Sequence, residues 1–329
     1  MNTQALERAL ITLIQNNEPA LLVGPPGVGK TDIVKAAAHK SKADLIIFHP
    51  VVSDPTDFKG LPGIVDGHAE FLPYGDLRKL IEADTLTVCF LDDLGQAPQS
   101  VQAAAMQLLL AREINGKKIS DKVVFVAATN RREDKAGVSG ILEPLKSRFT
   151  TILNVEPSVD DWSTWALSNG VPPEVVAFIR FRPALLTQPG PATQEIKNRT
   201  SPRTIAALGR LWKAGLSDHE ILSGAAGEGC ATEFLAFIRI WQSLPNIDAI
   251  LLNPKTSPVP TEVAILYAVA TALAIRATSQ NAGRVIQYLD RLPEEFSVLG
   301  VRDLLRQCPG AANNSDFVKW ASKHADVLV

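Results

Sequence analysis

Eight consecutive residues set the strongest limit on what this chain can fold into. Gly24-Pro25-Pro26-Gly27-Val28-Gly29-Lys30-Thr31 fits the pattern G-x-x-x-x-G-K-[ST], and it lies between the apolar run Ala20-Leu21-Leu22-Val23 and a helical stretch at Thr31–Lys40. A strand, a glycine-rich turn and a helix in that order form a cradle for phosphate. The glycines let backbone N–H groups close around phosphate oxygens, and the helix presents its positive N-terminal end. In this reading Lys30 reaches the β- and γ-phosphates of a nucleotide and Thr31 ligates Mg²⁺.

Four more apolar runs follow at intervals: Leu45–Phe48, Leu86–Leu91, Val123–Ala128 and Thr151–Val155. Continuous runs of this length, rich in Val and Ile, read as strands buried on both faces. Helical stretches lie between them at Leu77–Ala83 and Ser100–Leu110, which predicts a parallel sheet covered by helices. The third run ends in Asp92-Asp93, beside the phosphate loop in such a sheet. Asp92 is then placed to hold Mg²⁺, directly or through water, and Asp93 to orient or deprotonate the attacking water. The fourth run ends in Thr129-Asn130, so Asn130 reads either as a partner of that water or the γ-phosphate, or as a turn or cap residue. Arg148, just before the fifth run, reads as an exposed arginine that completes a neighbouring subunit's site, or as a solvated charge. Arg203 follows the Ser201-Pro202 helix start and opposes the helix dipole, which suggests an anionic partner.

Two segments interrupt the α/β rhythm. Ile64–Phe71 carries Asp66-Gly67 and Glu113–Ile119 carries Asn115-Gly116, both between extended flanks. These dipeptides favour the positive φ of tight hairpin turns, and two inserted β-hairpins are expected, ordinary surface loops being the alternative. Beyond Val155 the pattern is helical: Val159–Ser168, Pro173–Phe181, Pro202–Ala214, Asp218–Ala225, Thr232–Ser243, Thr261–Ala277, Ala282–Leu292 and Asp316–Asp326. Leu186–Ser201 is a polar, proline-containing loop. The expected organisation is an α/β domain over 1–155, a helical lid over 156–250 and a C-terminal helical region over 251–329.

Composition narrows the function. With 46% hydrophobic and 21% charged residues the chain is globular, not disordered or fibrous. Its 33 Lys+Arg against 35 Asp+Glu argue against holding nucleic acid by bulk positive charge. Cys89, Cys230 and Cys308 offer neither a disulfide framework nor a zinc site, and five scattered histidines show no ligand spacing. The first residues lack the basic start and apolar run of a secretory leader, and Val259–Ala277 reads as a buried helix and not a membrane span. A cytoplasmic protein without membrane contact is expected.

Taken in order, these motifs resemble an AAA+ ATPase over roughly residues 15–215. The resemblance implies a P-loop NTPase fold, with Gly24–Thr31 as Walker A, Leu91-Asp92-Asp93 as Walker B, Asn130 as sensor 1, Arg148 as arginine finger and Arg203 as sensor 2. Within that class, Asp57-Phe58-Lys59-Gly60 through Phe71–Leu77 looks like the helix-2 insert of the MoxR branch, and the Asn115-Gly116 hairpin looks like its second hairpin. Pro98–Met106 is similar to that branch's stretch after Walker B. Asp92-Asp93-Leu94-Gly95-Gln96 departs from its usual Asp-Glu-Ile-Asn-Arg, and the shorter Asp93 raises a nucleotide switch with little turnover as an alternative. The resemblance implies ATP and Mg²⁺, a ring, commonly a hexamer, a client protein to be remodelled and a partner with a von Willebrand factor A domain. The second reading is a nucleic-acid motor or loader, suggested by the basic residues Arg112, Lys117, Lys118, Lys122, Arg131 and Arg132.

Overall fold

A computed structural model of the chain describes residues 1, 3–134, 140–188 and 196–327. Among the described residues the strands are β1 (Ala20–Val23), β2 (Asp44–Phe48), β3 (Leu61–Val65), β4 (His68–Leu72), β5 (Thr87–Leu91), β6 (Glu113–Ile114), β7 (Lys117–Lys118), β8 (Val123–Thr129) and β9 (Thr151–Asn154). The helices of the α/β half are α1 (Thr3–Gln15), α2 (Lys30–Lys40), α3 (Thr56–Lys59), α4 (Gly75–Glu82), α5 (Gln99–Leu110) and α6 (Glu143–Lys146). Contacts divide the chain into two compact units, Met1–Ser158 and Val159–Val329.

In the first unit the five apolar runs form one parallel sheet of order β2-β5-β8-β1-β9. Successive side chains of a strand point to opposite faces, and the central strands show both faces buried. Val88 and Phe90 of β5, with Val124 and Val126 of β8, pack into a core with Leu6, Leu10 and Ile14 of α1 and Ile33 and Val34 of α2. Cys89 and Leu91, with Val123 and Phe125, pack on the other face with Leu77, Val101, Ala105 and Leu108. Helix α1 is an element the sequence reading does not assign, although Leu6, Leu10 and Ile14 recur at the spacing of one helix face.

Both inserted hairpins form. β3 pairs antiparallel with β4 around Asp66 (φ 49°) and Gly67 (φ 79°), and β6 pairs with β7 around Asn115 (φ 49°) and Gly116 (φ 79°). Positive φ at both central residues is the turn that matches strand twist. The first hairpin is anchored at its base, where Phe58 is buried against Phe48 and the Tyr74 hydroxyl donates to Asp57 Oδ1 at 2.7 Å. The Asn115 side chain donates to the Lys59 carbonyl, which ties the turn of the second hairpin to the end of α3, just before the first.

The second unit is helical: α7 (Val159–Ser168), α8 (Pro173–Phe181), α9 (Ala184–Thr187), α10 (Pro202–Lys213), α11 (His219–Ala226), α12 (Glu228–Gln242), α13 (Ile247–Leu252), α14 (Val263–Ile275), α15 (Ala282–Leu289), α16 (Glu294–Gln307) and α17 (Ser315–Lys323). Of the loop expected over Leu186–Ser201, residues 189–195 lie outside the described residues. The sequence pattern assigns none of α9, α13 and α16, and α9 takes in Leu186 and Thr187 of the expected loop. In α16 the reason is Gly300, a weak helix former. A Cβ there would stand 2.7 Å from Leu289 Cδ2, so a larger residue would have to displace that side chain of α15. Helix α14 is apolar on all sides, as a buried helix should be: Ala264 and Ala268 line one core with α8 and α12, and Leu266, Val269 and Leu273 line another with α15 and α16. No helix among the described residues is long and apolar enough to cross a membrane.

An ion pair crosses this interior. Arg180 Nη1 lies 2.6 Å from Asp303 Oδ2 and donates to Thr271 Oγ1 at 3.1 Å, with the two charged side chains 2% and 1% exposed. Removing one partner of such a pair strands the other charge in a low-dielectric interior. Asp303→Ala should therefore destabilise the helical unit by about 3–5 kcal/mol in denaturant titrations, and Arg180→Met combined with Asp303→Leu should recover most of the loss. A single mutant that unfolds like wild type would show that the pair carries no weight.

Candidate functional site

The C-terminal ends of β1, β5 and β8 lie side by side, and the residues leaving them converge. The loop Gly24–Gly29 joins β1 to α2, with Gly27 at φ 77° and Gly29 at φ 97°. These left-handed positions turn successive N–H groups inward, a geometry suited to an anion. Gly29 is the N-cap residue of α2 and no side chain caps that helix end. Gly24 is fixed by a different constraint. Its N–H donates to Thr129 O at 3.2 Å, and a Cβ at this position would stand 2.5 Å from the Val155 carbonyl oxygen.

Lys30 begins α2 and is buried at 6% exposure. Its Nζ donates to Gly24 O at 2.9 Å, to Pro25 O at 3.1 Å and to Asn130 Oδ1 at 2.6 Å. Thr31 Oγ1 donates to Asp92 Oδ2 at 2.7 Å, and Asp92 itself is buried, with its N–H bonded to Phe48 O at 2.9 Å. Four residues singled out from separate motifs thus meet through direct hydrogen bonds: Lys30, Thr31, Asp92 and Asn130. A hydroxyl and a carboxylate are hard oxygen donors, the chemistry that magnesium takes and a soft metal does not. The donor set therefore fits a magnesium nucleotide.

Asp93, the second carboxylate, follows Asp92 in a left-handed conformation (φ 57°, ψ 34°) and accepts from Gln96 Nε2 at 2.7 Å. Gln96 and Thr129, which neither motif nor spacing singles out as functional, are the residues the structure adds. Their signal lies in space: Gln96 is three residues beyond Asp93 in a tight turn, and Thr129 ends the adjacent strand. Arg148 follows α6 and is exposed; no hydrogen bond or ion pair to its guanidinium is found among the described residues. Arg203 is exposed in the first turn of α10, in the helical unit, beside the Ser201 cap that accepts from the Thr204 N–H at 3.2 Å.

The basic stretch of the second hairpin is less basic than its sequence. The Arg112 guanidinium turns inward over the Phe125 ring and donates to Ser120 O at 3.0 Å and Val123 O at 2.7 Å. Lys118 pairs with Asp121 at 3.0 Å, and Arg131 with Asp134 at 3.1 Å. The first hairpin exposes large apolar side chains, Leu61 at 49%, Ile64 at 81% and Phe71 at 45%, beside the exposed polar residues Asp66, His68 and Glu70.

No curated protein sequence matches the chain. Among solved structures it is similar to a point mutant of Thermotoga maritima RuvB, at 17% identity and TM-score 0.44 over 82% of this chain and 80% of that one. It is similar also to the Thermotoga maritima RuvB Holliday junction branch migration motor, at 16% identity and TM-score 0.43 over 85% and 83%. NtrX from Brucella abortus in complex with ADP gives 13% and 0.38, over 99% of this chain and 68% of that one. Residues 20–157 match the family described as ATPase family associated with various cellular activities (AAA). That span holds the parallel sheet, the phosphate loop and the converging residues, and it is an AAA ATPase domain with the P-loop fold of the AAA+ class.

Proposed function

We propose that this chain is a MoxR-like AAA+ ATPase of the cytoplasm that works as a ring, a hexamer, to remodel or activate a client protein together with a partner bearing a von Willebrand factor A domain. The helical remainder divides in this reading into a lid over 156–250 and an extension over 251–329. Gly24–Thr31 hold the triphosphate, Thr31 and Asp92 hold Mg²⁺, and the ion withdraws charge from the phosphates when bound. Asp93 takes a proton from, or aligns, the attacking water, and Asn130 holds the same water or the γ-phosphate. Arg148 supplies positive charge to the site of the adjoining subunit, and Arg203 couples the nucleotide to the lid.

The β3–β4 hairpin carries the choice of client. Leu61, Ile64 and Phe71 expose apolar surface, which suits a polypeptide better than a phosphodiester backbone. The engagement of Arg112, Lys118 and Arg131 by neighbouring oxygens supports the same choice over a nucleic-acid motor. Turnover stimulated by a protein partner and indifferent to DNA at low salt is the expected result; stimulation by DNA alone would reverse it.

Two further outcomes test the site. Lys30→Ala should weaken binding of a fluorescent ATP analogue by on the order of a hundredfold, and chelation of Mg²⁺ should stop turnover of the wild type. Arg148→Ala should lower turnover on the order of a thousandfold while each subunit still binds nucleotide. It should also shrink the ATP-dependent complex in sizing experiments. Wild-type assembly and turnover in that variant would remove Arg148 from the shared site.

A further inference from the structure

The turn after β5 carries contacts that phosphate binding does not require. A left-handed aspartate costs on the order of 1 kcal/mol and persists only where its surroundings hold it. Here the turn Leu94–Gln96 does so. The Gln96 N–H donates to Asp93 O at 3.0 Å, and the Gln96 side-chain amide donates from Nε2 to Asp93 Oδ1 at 2.7 Å. The other end of that amide, Oε1, accepts from Thr129 Oγ1 at 3.4 Å. Thr129 is buried at 5% exposure and ends β8, and its single hydroxyl proton is shared between Gln96 Oε1 and Asn130 O, the latter at 3.1 Å. Gly95 makes the approach feasible, because a Cβ there would stand 2.1 Å from Thr129 Oγ1.

We infer that Gln96 is a positioning residue for Asp93: its amide fixes the carboxylate and braces it against the end of β8, one residue from the Asn130–Lys30 contact. The inference rests on the proposed role of Asp93 toward the attacking water. The physical reason is directional. A half-exposed carboxylate turns freely about its last bond, and water alignment needs one orientation held. One N–H donor on one oxygen holds it and leaves the second oxygen for the water. A hydrogen bond to a charged group of this kind corresponds to about a tenfold effect on rate or more.

The test is steady-state ATP turnover of the chain in four forms: wild type, Gln96→Met, Asp93→Asn and the double variant. Methionine keeps the length and volume of the side chain and removes the donor. Gln96→Met is expected to lower kcat about tenfold, with KM for ATP and thermal stability held, and to cause no further loss in the Asp93→Asn background. Gln96→Glu is a second variant, which keeps the reach to Thr129 but sets a like charge beside Asp93, and it should lose more than Gln96→Met. A change in KM in place of kcat, losses that add in the double variant, or wild-type turnover in Gln96→Glu would overturn the inference. Wild-type turnover in Asp93→Asn would instead overturn the role of Asp93, so the two failures are told apart.

Discussion

The ammonium of Lys30 joins segments 100 residues apart, and the candidate site is organised around that bond. Burying an unpaired ammonium is costly, so the charge is tolerable only where oxygens surround it. Gly24 O, Pro25 O and Asn130 Oδ1 provide them. That arrangement demands β8 beside β1, with their ends level, and the register Val23↔Thr129 places Asn130 immediately beyond. Two neighbours complete the site by constraints of their own: the Val155 carbonyl requires glycine at position 24, and Asp92, at the end of β5, is held by Thr31 Oγ1 and Phe48 O.

Much of this was legible in the sequence because buried parallel strands leave a strong trace. Val123–Ala128 and Leu86–Leu91 are continuous apolar runs that few surface segments could imitate, and the hairpins announced themselves through Asp66-Gly67 and Asn115-Gly116. Helix α16 left a weaker trace: it carries Gly300, a weak helix former, which sits against the Leu289 side chain of α15. Gln96 was visible as a departure from a pattern, but its use depends on Thr129, a neighbour in space and not in sequence. Arg112 shows the same limit from another side. Its charge is written in the chain, but the direction of its side chain is set by the Phe125 ring and the Ser120 and Val123 carbonyls.

The chemistry of the thiols fits this picture of buried structure. Cys89, Cys230 and Cys308 are all free and buried. Burial pushes the Cys230 thiol up to about 12, with Glu233 adding to the shift, and desolvation drives Cys89 upward in the middle of β5. A neutral thiol is a poor nucleophile and a poor metal ligand. These cysteines serve as small apolar packing residues.

Helix α14 gives the second unit a common wall, since Ala264 and Ala268 face one cluster of helices while Leu266, Val269 and Leu273 face the other. Anything that shifts α14 along or about its axis must repack both chambers at once, because close-packed interiors do not absorb such a shift on one side alone. In an enzyme driven by nucleotide, such a helix behaves as a connecting rod, and a disturbance of one chamber reaches the other through it.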